Sequence, residues 1–273
     1  MAASCSVPPL SRRTFQTSDG VALSVLEAGR EHSGDRHLKI VFVPGWSMPA
    51  TLWRKQLEAL GGSYNVLAID PRGQGESQVP PHGYTAERRA ADLSEILLPL
   101  SNVLLVGWSL GAIESLQYVQ MFGADRLAGL VLVDSSVGEE PAPPPGSAFT
   151  QRLREDRAQM LDVFVRAIFA KPRSDVEIAS LVQQAKRLPL EESIALLSYP
   201  FERAHWRRIA HRFTKPLLYV VTPQFEAQAR NLQKNRPATQ IEIFTDAGHA
   251  LFVDEPERFN SLLARFAAHL ARP

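Results

Sequence analysis

A single cysteine, Cys5, stands among the 273 residues of the chain. One thiol cannot close an intramolecular disulfide, so the fold must rest on its core, and a reducing compartment is expected. Long apolar runs are also missing. None approaches the about 18 residues that would suggest a membrane span. The opening residues 1–9 have neither a positive n-region nor a continuous apolar h-region, so no secretory signal is expected. Blocks of like charge are absent as well: 30 basic side chains against 29 acidic ones leave a net charge of +1. That balance offers no basic stripe for nucleic acid and no charged, solvated tail. No internal repeat is found, and the one biased tract is the proline run within 138–146. These absences lead to the expectation of a cytoplasmic protein that acts on a small molecule, with no nucleic-acid or membrane partner. Homo-oligomerisation is left open. What is plentiful is apolar residue, at 45% of the chain, enough for a large core.

The N-terminal third reads as strands. Two β-prone runs, 13–18 and 21–26, flank Asp19-Gly20 as a hairpin signal. Apolar runs 38–43 and 65–69 are two further strands, and between them Leu52, Trp53, Leu57 and Leu60 recur at helical spacing. A helix is expected over 85–98 with Thr85 as its N-cap, followed by strand 102–106, helix 110–121 and strand 130–133. Such alternation of near-continuous apolar strands with helices predicts an α/β fold, its mostly parallel sheet covered on both faces. At Val137 the rhythm breaks. After the stiff proline connector, 147–170, 174–187 and 190–211 all look helical, with no strand between them. Strand 216–221, helix 224–234, strand 240–245 and helix 255–270 then resume the pattern. A core of 1–137 and 214–273 with a helical cap insertion at 138–213 is the expected organisation.

Gly107-Trp108-Ser109-Leu110-Gly111 lies where strand 102–106 turns into a helix. A turn that sharp needs neighbours without a Cβ, and it lifts the serine Oγ above the sheet edge beside a helix N-terminus. A serine hydroxyl is a weak nucleophile until a base takes its proton. Of the seven histidines, His249 is the candidate, because Gly248-His249 follows the last strand and so reaches the same sheet edge. The carboxylate behind it has two candidates. Asp134 ends strand 130–133, where open α/β sheets place ligand groups; Glu226 follows strand 216–221 but falls on a helical surface. Asp134 is favoured. Two main-chain donors are needed for an oxyanion: Leu110 N–H, and Trp46 N–H in the turn Pro44-Gly45-Trp46-Ser47.

These motifs resemble the α/β-hydrolase superfamily over residues 13–270. The likeness is carried by Val43-Pro44-Gly45-Trp46, by Asp70-Pro71-Arg72-Gly73-Gln74-Gly75-Glu76-Ser77, by Gly107–Gly111 and by Gly248-His249 followed by Glu255-Pro256-Glu257. Capped esterases, cofactor-free haloperoxidases and pimeloyl-ester esterases are the relatives it resembles. Pro44 stands where the family usually has histidine. The segment from Val221 to His249 is several residues short of the family's usual acid loop, which again points to Asp134. The resemblance implies an α/β-hydrolase fold with a helical cap, no cofactor, no metal, and a serine hydrolase acting on a small, mainly apolar carboxylic ester. Lactonase, C–C bond hydrolase or perhydrolase chemistry on the same residues, and a non-catalytic ligand receptor, are the alternatives. Trp108, Phe149, Phe164, Phe169 and Trp206 are the expected substrate-contacting residues.

Overall fold

The two β-prone runs around Asp19-Gly20 form a hairpin of β1 (Ser11–Gln16) and β2 (Ala22–Ala28). Its turn is closed by Thr17, whose hydroxyl accepts from Val21 N at 2.9 Å, and by Gly20 at φ +81°. The computed structural model describes residues 9–32, 34, 37–143 and 147–270; Cys5, the opening segment and the end of the proline run at 144–146 lie outside them. The apolar runs form β3 (Lys39–Val43), β4 (Asn65–Asp70), β5 (Val103–Trp108), β6 (Leu127–Val133), β7 (Leu217–Val221) and β8 (Thr239–Ile243). One eight-stranded sheet results, in the order β1-β2-β4-β3-β5-β6-β7-β8. β1–β2 and β2–β4 pair antiparallel, and the remaining pairs are parallel. In this register Val43 lies opposite Gly107, and Trp108 opposite Val133. The carboxyl ends of β3, β5 and β6 therefore meet at one edge.

The two faces of each strand feed two cores, because successive side chains point to opposite sides. Ile40, Phe42, Val66 and Val106 face one core, together with Leu57 of α1 (Arg54–Leu60). Val41, Val43, Leu67 and Leu105 face the other, against Leu93 and Ile96 of α2 (Ala86–Leu97) and Leu116 of α3 (Leu110–Phe122). Thr85 caps α2 as its type and position predict, accepting from Arg88 N at 3.2 Å.

Between β6 and β7 lie α4 (Ser147–Glu155), α5 (Arg157–Ala167), α6 (Asp175–Lys186), α7 (Leu190–Leu196) and α8 (Arg203–Arg212). The run 147–170 is thus two helices. Asp156 interrupts it and caps α5 by accepting from Gln159 N at 3.0 Å. The run 190–211 is also divided, since Pro200 disfavours helical backbone at Tyr199 before it. Leu161, Val165, Leu181 and Ile194 of α5, α6 and α7 join the first core over the sheet edge. By contrast α8 packs on α3 and sends Trp206, Ile209 and Ala210 into the second core. The chain closes with α9 (Glu226–Asn235), the short α10 (Leu251–Asp254) and α11 (Pro256–Leu270). Among the described residues no helix is long and apolar enough to cross a membrane.

Candidate active site

Ser109 sits between β5 and α3 with φ +54° and ψ −119°. This positive-φ backbone, outside the left-handed helical well, costs a non-glycine residue about 1–3 kcal/mol, so its surroundings must impose it. They do. A Cβ on Gly107 would lie 2.4 Å from Gly111 O, and one on Gly111 would lie 2.4 Å from Val43 O. Strand, helix and the end of β3 come too close for any other residue at those positions. Ser109 N donates to Val133 O at 2.9 Å, pinning the turn to β6. Leu110 opens α3, so its N–H has no acceptor within the helix. The turn 44–47 is adjacent: a Cβ on Gly45 would meet Ser109 Cβ at 3.1 Å.

His249 follows β8 in the loop leading to α10. Its Nδ1 lies 2.8 Å from Asp134 Oδ2. A carboxylate can only accept, so the ring donates from Nδ1, which leaves Nε2 of the corresponding neutral tautomer with its lone pair. Asp134 is fully buried at the end of β6, in the left-handed region at φ +43°. Its other oxygen, Oδ1, accepts from Thr222 N at 2.6 Å and Thr222 Oγ1 at 2.8 Å. Three donors thus orient the carboxylate. Its charge also acts on Tyr219 nearby: burial first, then Asp134, pushes that phenol well above its ordinary pKa. Glu226 is elsewhere, on α9, paired with Arg230 at 2.6 Å one helical turn away.

Three sets of contacts hold the histidine loop. Trp108 Nε1 donates to His249 O at 2.8 Å. Buried Asp254 accepts from Gly248 N at 2.9 Å and from Ala170 N at 2.8 Å, joining the loop to the segment after α5. Ala250 N adds a bond to Ile168 O at 2.7 Å.

A cavity of about 300 Å³ opens on Ser109. Its walls include Ile113 of α3, Leu196 and Leu197 at the end of α7, and Tyr199, Phe201 and Trp206 beyond it. Among the described residues no charged side chain lines it. Of the aromatic residues expected at substrate, the structure brings Trp206 to this cavity. It places the other four differently. Trp108 is buried beneath the serine, with its indole against the histidine loop. Phe149 and Phe164 pack edge-on against Trp46, with ring centres 5.6 and 5.0 Å away. Phe169 lines a separate cavity, where the Arg173 guanidinium lies 4.8 Å over its ring. Helix-face aromatics serve packing when the face turns inward, and spacing alone does not say which way a cap helix turns. No group of three or more His, Cys, Asp or Glu among the described residues could hold a metal ion.

Sequence reading passed over Thr222 and Asp254. The first directly follows β7 and the second stands five residues after His249, so proximity to the motifs was the only available signal.

The fold agrees with known proteins. Pimeloyl-[acyl-carrier protein] methyl ester esterase of Vibrio vulnificus is 27% identical over 261 residues, covering 84% of this chain and 93% of its own. A Synechocystis protein provisionally named a non-heme chloroperoxidase is 36% identical over 253 residues, covering 83% and 90%. In fold, an esterase from Exiguobacterium antarcticum superposes with a TM-score of 0.81 at 24% identity, covering 93% of this chain and 98% of that one. Residues 40–262 match the model of the alpha/beta hydrolase family, and the chain belongs to that family.

Proposed function

We propose that the protein is a serine hydrolase that cleaves a carboxylic ester of a small, mainly apolar substrate through an acyl-enzyme. The observation that carries this reading is the His249–Asp134 pair at the sheet edge where Ser109 stands on its strained turn. Ser109 Oγ attacks the acyl carbon and passes its proton to His249 Nε2, while buried Asp134 stabilises the imidazolium. The carbonyl oxygen takes up negative charge against the N–H groups of Trp46 and Leu110, where the α3 N-terminus adds its partial positive charge. His249 then returns the proton to the departing alcohol. Water, deprotonated by the same ring, attacks the acyl-enzyme and frees Ser109.

The cavity favours uncharged groups. An ionised carboxylate or ammonium entering walls of Leu196, Leu197, Phe201 and Trp206 would lose its hydration and find no counter-charge. The ester-cleaving relative supports the same reaction class.

A fluorophosphonate probe tests the nucleophile: labelling of the folded wild type should vanish in Ser109→Ala, and an unlabelled wild type sinks the proposal. The acid is tested with a short p-nitrophenyl ester. Asp134→Asn should lose orders of magnitude in kcat, as loss of a triad carboxylate does, while Glu226→Gln stays near wild type. The opposite pattern would overturn the assignment of Asp134.

A further inference from the structure

Trp46 N–H belongs to a turn that needs support from outside. Residues 45–48 close on the bond from Met48 N to Gly45 O, 3.2 Å. The third residue, Ser47, lies at φ +58°, a left-handed value that turns of this kind usually assign to glycine or asparagine. Gln74, from the loop after β4, reaches across and is itself fully buried. Its Nε2 donates to Gly45 O at 3.0 Å and to Met48 O at 2.9 Å, one bond at each end of the turn. Both protons of the amide are therefore used. Its Oε1 accepts from Arg89 Nη2 at 2.8 Å. Because guanidinium only donates and carbonyls only accept, these partners fix which way the amide faces.

Arg89 is held in turn. It is buried, its Nε donates to Glu114 Oε1 at 2.8 Å, and its Nη1 donates to Arg72 O at 2.9 Å. Glu114 lies on α3, the helix that Ser109 caps, and also accepts from the Tyr199 hydroxyl at 3.1 Å. Glu114 is fully enclosed, and that burial raises its pKa although Arg89 pulls it down. A continuous set of bonds thus runs from the nucleophile's helix and the cavity wall, through Arg89, to the strained turn.

We infer that Gln74 is a positioning residue for the oxyanion donor: by clamping Gly45 O and Met48 O it holds Trp46 N–H at Ser109. The inference rests on the hydrolase reading above. It goes beyond that reading by assigning the geometry of one oxyanion donor to a side chain that never touches substrate. A buried amide that merely satisfied two carbonyls would matter equally to every ligand. A positioning amide matters only when charge develops on the substrate oxygen.

Two short ketones of the same skeleton separate these roles. A trifluoromethyl ketone adds to Ser109: the Oγ–carbon bond forms, the Oγ proton moves to His249, and the carbonyl π pair becomes the oxyanion. The methyl ketone binds without addition. Gln74→Met keeps the volume without either polar face, and Gln74→Glu keeps an acceptor for Arg89 but loses the donor to the turn. In both folded variants, affinity for the trifluoromethyl ketone should fall by about tenfold or more, given that a whole donor is worth 10²–10³. Affinity for the methyl ketone and KM should change less than about threefold, on the scale of ground-state binding alone. Retained trifluoromethyl ketone affinity, or equal losses for both ketones, overturns the inference. Should the variants not fold, a crystal structure of the wild-type adduct decides. The adduct oxygen should sit about 2.7–3.1 Å from Trp46 N, with both Gln74 bonds intact; broken bonds or another donor there overturn it. A wild type that forms no adduct fails the hydrolase reading itself, and the inference with it.

Discussion

Replacing Gly45 with alanine should damage reactivity far more than stability, whereas Gly107→Ala should cost far more stability than Gly45→Ala does. The added Cβ at position 45 would lie 3.1 Å from Ser109 Cβ and 3.1 and 3.2 Å from two ring carbons of Trp108. Ordinary carbon contacts are about 3.5–4.0 Å, so something must give by about 0.4 Å. Trp108 cannot: its indole is buried and bonded to His249 O at 2.8 Å. Ser109 is held by the bond to Val133 O. The turn therefore retreats, taking Trp46 N–H with it. Overpacking of this size costs about 1 kcal/mol, the low end of the usual range, or about 2–4 °C in Tm. Partial loss of an oxyanion donor should slow reaction by about 10- to 100-fold. At Gly107 the clash is with main chain: Gly111 O, Gly111 C and Ala112 Cα at 2.4, 2.6 and 2.7 Å. Relief requires strand and helix to part by about 1 Å, which should exceed about 3 kcal/mol. Thermal melts and the fluorophosphonate labelling rate per folded molecule give both quantities. The reasoning is refuted if Gly107→Ala melts with the wild type, or if Gly45→Ala labels at the wild-type rate.

Three further outcomes are expected. Thr222→Val removes one of the donors on Asp134 Oδ1 while the main-chain donor stays. It should cost about 1.5–3 kcal/mol, as bonds to charged groups do, and lower kcat with KM unchanged, as read by urea unfolding and steady-state kinetics. Trp206→Phe trims the cavity wall, so the preferred acyl group on an ester panel should lengthen; an unchanged optimum would remove Trp206 from the pocket wall. Acid should destabilise the fold partly through Glu95. Burial opposes its ionisation, but bonds from Arg88 and Ser18 outweigh this and hold its pKa below the ordinary value. A depressed folded pKa gives stability that is complete above the unfolded pKa and lost as pH falls through the folded one. The urea midpoint of Glu95→Gln should accordingly fall less between pH 7 and pH 4 than that of the wild type.

Much of the scaffold was legible because it depends on local pattern. β3, β4, β5 and β7 are apolar runs that can only be buried on both faces, and Thr85 is a capping residue before a periodic segment. The strand-end position of Asp134 was legible for the same reason, and the structure brings it to His249. β7 passes almost directly into α9, leaving Glu226 on a solvated face with Arg230. The cavity wall was not legible. Leu196, Leu197, Tyr199 and Phe201 lie in and around a break between two helices that reads as one continuous pattern. Which face of α4 or α5 turns inward was equally hidden, so Phe149 and Phe164 could not be told from wall residues. Gln74 belongs to a motif that was seen and Asp254 stands beside one, yet their partners lie far along the chain. Gln74 bonds Gly45 and Met48, and Asp254 bonds Ala170. No periodicity records such pairings.

The Asp254 carboxylate makes the imidazole and the roof above it one mechanical body. It grips Gly248 N on one side and Ala170 N on the other, and the bond from Ala250 N to Ile168 O runs alongside. Gly248 has no room for a side chain there, because a Cβ would lie 2.6 Å from Ala170 N. A displacement of the segment after α5 would therefore drag His249 away from Asp134. A roof hinged at that end would disarm the site each time it opened.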